Sequence, residues 1–136
     1  IVLPMHKNKK IRILLKKYLD KIDRVLLKET LSYDHFVGIL SQCHFVLTDS
    51  GGIQEEAPFL GKPVLILRDT TERVESIKLG SAMLVGTEPK EIFEKVNMLL
   101  SNNDLYNSMS VRRQIYGDGK ASERIFEKCL DLLNIN

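Results

Sequence analysis

Leu47-Thr48-Asp49-Ser50-Gly51-Gly52-Ile53-Gln54-Glu55-Glu56-Ala57-Pro58 is the stretch whose reading decides the fold. The apolar run Phe45-Val46-Leu47 reads as a short buried strand, and the segment from Ile53 reads as a helix that stops at Gly61-Lys62-Pro63. Gly51 and Gly52 allow a tight turn between the two. A strand–turn–helix joint of this kind aims backbone N–H groups and the positive end of a helix dipole at one point, which suits a phosphate. Having no side chains, the two glycines let a ligand oxygen come right against the backbone. Glu55 and Glu56, one turn into the helix, can accept hydrogen bonds from sugar hydroxyls. A plain turn followed by an acidic first helical turn fits the same residues, so the flanking sequence has to decide.

Downstream, Pro63-Val64-Leu65-Ile66-Leu67 is nearly all apolar, as expected of a strand covered on both faces. The polar loop Arg68-Asp69-Thr70-Thr71-Glu72-Arg73 follows it directly. Ala82 to Val85 reads as a further strand, stopped by Gly86, and Thr87 is expected to cap a helix with Ile92, Phe93, Val96, Leu99 and Leu100 on one side. A short helix over 102–111, a turn at Tyr116 to Gly119 and a last helix from Ala121 to Leu133, with Ile125, Cys129, Leu132 and Leu133 on its apolar side, complete that half. Upstream, Ile1 to Pro4 looks like the end of a buried strand, followed by a loop holding His6 and Asn8. Ile11, Leu14, Leu15 and Tyr18 form one helical face, Arg24 to Lys28 a second strand, and Ser32 an N-cap for a helix whose Tyr33, Phe36, Val37 and Leu40 share a face.

Strands alternating with helices predict an α/β domain: a Rossmann-like parallel sheet with helices on both faces. Ligands of such sheets sit beyond the carboxyl ends of the strands. His6, Ser50 to Gly52, and Arg68 to Arg73 each follow a strand and are therefore expected to line one crevice.

Composition narrows the function classes. At 136 residues, 43% hydrophobic and 28% charged, the chain is one ordinary globular domain with enough length for a core. No apolar stretch has membrane-spanning length and no signal peptide is visible. The chain opens on Ile1, not Met, inside an apolar run, and so reads as a piece of something longer. A net charge of +2 gives no general mandate for nucleic acid. The one basic cluster, Lys7, Lys9, Lys10, Arg12, Lys16 and Lys17, lacks interleaved aromatics and reads as a solvated helix face. Cys43 and Cys129 are isolated and without metal-ligand spacing, which predicts two reduced, buried thiols in a cytoplasmic protein and no metal.

A dipole-bearing turn, an arginine-bearing loop and a carboxylate together call for a ligand with both phosphate and hydroxyl groups, a nucleotide or nucleotide sugar. Arg68 or Arg73 offers a planar fork of donors to phosphate oxygens. Of the two, Arg68 is expected to be taken up by a surface ion pair with Asp69 or Glu72, leaving Arg73 for the ligand.

The run from Leu47 to Pro58 resembles the non-hydrolysing UDP-N-acetylglucosamine 2-epimerases, and Gly61-Lys62-Pro63-Val64-Leu65 through Arg68-Asp69-Thr70-Thr71-Glu72-Arg73 is similar to the same family's second signature. Pro4-Met5-His6-Lys7-Asn8, Leu84-Val85-Gly86-Thr87 and Tyr116-Gly117-Asp118-Gly119-Lys120-Ala121-Ser122-Glu123-Arg124-Ile125 extend the resemblance over nearly the whole chain in one order. The resemblance implies one half of a glycosyltransferase-B fold. Residues 1–136 would be the carboxyl-terminal, UDP-binding domain of a two-domain enzyme, with the amino-terminal domain absent.

It further implies that Ser50, Gly51 and Gly52 hold a diphosphate, Glu56 the ribose hydroxyls, and Arg73 the phosphates or sugar. Phe36 and the backbone around Leu31 would flank the uracil, and His6 would be a catalytic candidate in the cleft near the sugar and diphosphate. The implied partners are UDP and UDP-N-acetylglucosamine, with a homodimer as the full-length state and no nucleic acid, membrane or cofactor. The family reaction inverts C2 of the sugar by eliminating UDP and adding it back, with catalytic carboxylates in the amino-terminal domain. This chain alone is thus expected to bind UDP without epimerising. The alternatives are the nucleotide-sugar half of a glycosyltransferase or hydrolysing epimerase, and a non-catalytic nucleotide-sugar-binding domain. Lys9 and Val74 stand where relatives usually place proline, and Arg112-Arg113-Gln114-Ile115 is also atypical; the loss at Val74 is expected to loosen the Arg73 loop.

Overall fold

Three-residue strands carry the fold, and the most deeply placed of them is Val64–Ile66, whose three side chains are all fully buried. A computed structural model describes residues 1–133. Contacts divide the chain into two units, Ile1–Ile39 and the part from Leu40 onward.

In the first unit, β1 (Val2–Pro4) and β2 (Leu26–Lys28) pair in parallel, with Leu3 opposite Leu27, and α1 (Lys9–Leu19) is the crossover between them. Asn8 caps α1 by accepting from the Lys10 amide at 2.9 Å, as its short side chain is suited to do. The basic residues of α1 are exposed, apart from Arg12, which reaches over to pair with Glu29. Ile11, Leu14 and Tyr18 are also exposed and only Leu15 of that face is half-buried, so the helix covers less of its stripe than its spacing predicts. α2 (Tyr33–Gln42) begins after Ser32, whose carbonyl accepts from the Phe36 amide at 2.9 Å. Tyr33, expected on the buried face, is exposed in the first turn, whereas Phe36 and Val37 are half-buried and Leu40 is buried.

The second unit is a three-stranded parallel sheet in the order β3 (Val46–Thr48), β4 (Val64–Ile66), β5 (Ala82–Leu84). The crossovers are α3 (Gly51–Phe59) and α4 (Val74–Lys78), which pack on the sheet and on each other. On the central strand Leu65 points to one face and Val64 and Ile66 to the other, following the two-residue period of a strand. Leu65 joins Val85, Leu99 and Met109 in a core that also draws on Ile92, Val96, Leu105 and Tyr106, from α5 (Pro89–Ser101) and α6 (Asn103–Met109). Helices therefore cover both faces, as the all-apolar β4 requires.

Several details depart from expectation. α5 begins at Pro89 behind Glu88, one residue later than a Thr87 cap would place it; proline has no N–H to satisfy and its fixed φ suits the first helical position. Phe93 and Leu100 are exposed, because Ile92, Val96 and Leu99 already fill the face that meets the core. α4 is a five-residue helix without a periodic apolar stripe long enough to announce it. α7 (Ala121–Leu133) follows the predicted turn, where Gly117 and Gly119 take φ of 126° and 80°. It buries none of its residues: Ile125, Leu132 and Leu133 are exposed, and Cys129 is an exposed rather than a buried thiol. Cys43 is half-buried and burial pushes its thiol pKa up. Among the described residues no helix is long and apolar enough to cross a membrane.

Candidate functional site

The joint after β3 differs from the expected turn in an informative way. Neither Gly51 nor Gly52 has a positive φ; both lie in the first turn of α3 itself, which starts at Gly51 rather than Ile53. Their value is therefore space, not backbone freedom. A Cβ on Gly51 would stand 3.0 Å from Cζ of Arg73 and 3.2 Å from its Nη2, whereas one on Gly52 would meet nothing within 4 Å. Gly51 thus admits a guanidinium against the helix end, and Gly52 leaves the surface beside it open.

Ser50 is the N-cap residue, with φ −78° and ψ 129°, but its side chain caps nothing. Its carbonyl accepts from the Gln54 amide at 3.3 Å and its own amide donates to Oγ1 of Thr48 at 3.0 Å. The hydroxyl and the amides of the first turn are consequently open at the positive end of the helix, an arrangement that can take an anion.

Arg73 comes from the loop after β4 and is the N-cap residue of α4. The loop is pinned despite having Val74 in place of proline. The Arg73 amide donates to Oγ1 of Thr71 at 3.2 Å, Thr71 Oγ1 donates to Oε1 of the fully buried Gln54 at 2.7 Å, and Ser76 Oγ donates to the Arg73 carbonyl at 3.0 Å. The Arg73 side chain donates from Nε to Glu55 at 2.9 Å and from Nη1 to Glu72. These carboxylates, Glu55 foremost, push the guanidinium pKa up and keep it charged. Arg68, as expected, is engaged at the surface, 3.5 Å from Glu72.

Glu56 lies on the same helix. Burial first, and repulsion from Glu55 second, push its carboxyl pKa up. Its Oε2 is buried and has no hydrogen-bond partner among the described residues. An acceptor desolvated and left unpaired costs about 1–3 kcal/mol, and a ligand hydroxyl would recover that cost.

The structure thus brings Ser50, Gly51, Gly52 and Arg73 together at the carboxyl ends of β3 and β4, with Glu56 further along α3. His6 and Phe36 belong to the first unit. His6 is exposed, just after β1, and its Nδ1 accepts from the Asn8 amide at 3.1 Å, which puts the proton of a neutral ring on Nε2. Phe36 is half-buried near the start of α2. Gln54 and Glu55 both stand in the quoted stretch, yet the sequence offers no role for Gln54 and only sugar hydroxyls for Glu55. Their partners, Thr71 and Arg73, lie 17 and 18 residues away, a pairing that spacing cannot announce.

Comparison with known proteins bears directly on this arrangement. The profile of the UDP-N-acetylglucosamine 2-epimerase family matches residues 1–130. The chain belongs to this family. It is 47% identical over 130 residues to the UDP-N-acetylglucosamine 2-epimerase of Bacillus subtilis, an alignment covering 96% of the chain and 34% of that protein. For the Escherichia coli K12 enzyme of the same name the identity is 46%, over 93% of the chain and 34% of the relative. The chain therefore spans about a third of the length of these relatives. Among solved structures it is similar to the S. aureus MnaA–UDP co-structure, with a TM-score of 0.93, 43% identity, and coverage of 99% of this chain and 36% of that one. The UDP-N-acetylglucosamine 2-epimerase of Neisseria meningitidis bound to UDP-GlcNAc gives 0.92 and 44%, over 96% of this chain and 35% of that one. The parallel sheets with helices on both sides are thus those of this family, whose fold is glycosyltransferase-B-like.

Proposed function

We propose that this chain is the carboxyl-terminal, UDP-binding domain of an enzyme that interconverts UDP-N-acetylglucosamine and UDP-N-acetylmannosamine. The observation that carries the reading is the uncapped N-terminus of α3 with Arg73 laid against Gly51. The first-turn amides and the Ser50 hydroxyl donate to the diphosphate, and Arg73 neutralises it with a planar set of donors. Glu56 accepts from the ribose hydroxyls with its unpaired Oε2. For the first unit taken by itself, the family resemblance proposes Phe36 as a neighbour of the uracil and His6 as a catalytic candidate.

Elimination removes the C2 proton of the sugar and breaks the bond between C1 and the diphosphate oxygen, which leaves with the electron pair. Donors already in place at α3 stabilise the charge that develops on the departing UDP without reorganising. Re-addition of UDP to the unsaturated sugar, with the proton delivered to the other face, gives the epimer. The base that takes the C2 proton belongs to the remaining two thirds of the enzyme's length, so the chain alone binds UDP and does not epimerise. Support comes from family membership and from the UDP and UDP-GlcNAc bound in the similar S. aureus and N. meningitidis structures. The test is to titrate UDP into the chain, then join it to an amino-terminal domain of a relative and assay for UDP-N-acetylmannosamine. A free sugar as product would favour a hydrolysing enzyme instead.

A further inference from the structure

Arg73 places a cation where the helix dipole is itself positive, an arrangement that needs a restraint. Two carboxylates supply it, and they are not equivalent. Glu72 is the neighbour of Arg73 in sequence, so its pairing ties the guanidinium only to its own loop. Glu55 is part of α3, the helix whose end the guanidinium covers, and its bond to Nε is 2.9 Å long. Fixing the Nε edge to α3 sets the plane of the whole group in the frame of that helix. Nη2 then lies 3.2 Å from the Cβ position of Gly51 and has no acceptor among the described residues.

We propose that Glu55 is a positioning residue: it holds the Arg73 guanidinium against the α3 N-terminus so that Nη2 faces an incoming diphosphate. This role rests on the assignment of the diphosphate to that helix end. It has a distinctive sign. Glu55 is an anion near the site, and an anion acting only through its charge would repel a diphosphate, so its removal would tighten binding. An anion acting through Arg73 does the opposite. Glutamine keeps an oxygen that can accept from Nε, so it retains the geometry without the charge.

The experiment is calorimetric titration of UDP into the wild-type chain and into Glu55→Ala, Glu55→Gln, Arg73→Ala and the Glu55→Ala/Arg73→Ala double variant. The Arg73 Nε–H resonance is followed by NMR in parallel. Glu55→Ala is expected to weaken UDP binding about tenfold in the presence of Arg73 and to have no weakening effect in its absence, the mark of a coupled pair. Glu55→Gln is expected to stay within about threefold of wild type. The Nε–H resonance should be protected from exchange in the wild type and in Glu55→Gln, and lost in Glu55→Ala. Tighter UDP binding by Glu55→Ala, an unchanged affinity, or an equal loss with and without Arg73 would overturn the role of Glu55 while leaving the diphosphate site standing. Failure of the folded wild-type chain to bind UDP would remove the site and this role together.

Discussion

The guanidinium carbon of Arg73 stands 3.0 Å from the point a Cβ on Gly51 would occupy, so the two residues share one piece of space at the N-terminus of α3. The adjacent Gly52 has no such neighbour. Alanine at either position should therefore separate stability from binding. Gly51→Ala and Gly52→Ala are each expected to leave the melting temperature equal or slightly raised, since alanine gains up to about 1 kcal/mol over glycine in a helix and the Arg73 tip can shift. Gly51→Ala should weaken UDP binding by displacing Arg73, and Gly52→Ala by blocking the open approach to the amides. Thermal melts and titrations on the same samples check both; a large loss of stability in Gly52→Ala would contradict the open surface described there.

Arg73→Lys keeps the charge but loses the planar fork. The Nε bond to Glu55 and the pair with Glu72 cannot both be reproduced by a single ammonium. UDP affinity is expected to fall by about 10- to 100-fold, the equivalent of one or two charge-assisted hydrogen bonds. Arg68→Lys, at the exposed pair with Glu72, should change affinity by less than about threefold.

Glu56 gives a pH dependence with a definite sign. Its folded pKa lies above the ordinary value of 4.5, so the folded chain holds this proton more tightly than the unfolded one. The associated stability is present below that value and is lost as the pH rises through the raised folded pKa. Glu56→Gln removes the loss. The stability of the variant relative to wild type should grow from pH 4 towards neutrality, by less than about 1 kcal/mol because the group is partly screened by solvent. Its affinity for UDP should meanwhile fall, since the unpaired Oε2 is the proposed ribose acceptor. Denaturant titrations across that range, with and without UDP, provide the check.

How much of this was legible beforehand follows from the range over which each interaction acts. The strand at Val64–Ile66 was plain because a strand buried on both faces has no polar positions. The helix at Pro89–Ser101 was plain in existence, but Phe93 and Leu100 were misplaced on its buried side because a helical stripe does not say how wide the receiving core is. The strand-to-helix joint was legible too, since Ser50, Gly51 and Gly52 follow a strand directly. The reason for Gly51 was not. It depends on Arg73, brought there by a loop anchored through Thr71 to the buried Gln54, and that closure exists only once β3 and β4 are paired. Likewise Ile125, Leu132 and Leu133 announce an amphipathic helix but not that α7 buries none of them.

The core is separable from the site. Leu99 is 1% exposed and packs with Leu65, Val85 and Met109. Leu99→Ala should destabilise the chain by about 2–5 kcal/mol. UDP affinity, measured at a temperature where the variant remains folded, should be unchanged, because none of the proposed ligand contacts touches this cluster. Gly61→Ala should also destabilise, as Gly61 has φ of 69° and its Cβ would stand 2.8 Å from the Ser110 carbonyl oxygen, a backbone atom that cannot swing aside.

The most direct test of the central claim is calorimetric titration of UDP into the wild-type chain, with CDP and Arg73→Ala as the comparisons. A preformed uridine-diphosphate site predicts saturable binding of UDP, weaker binding of CDP, and a loss of about 10- to 100-fold in the variant. Absence of UDP binding by the folded chain, or binding that neither the base nor Arg73 affects, would contradict it.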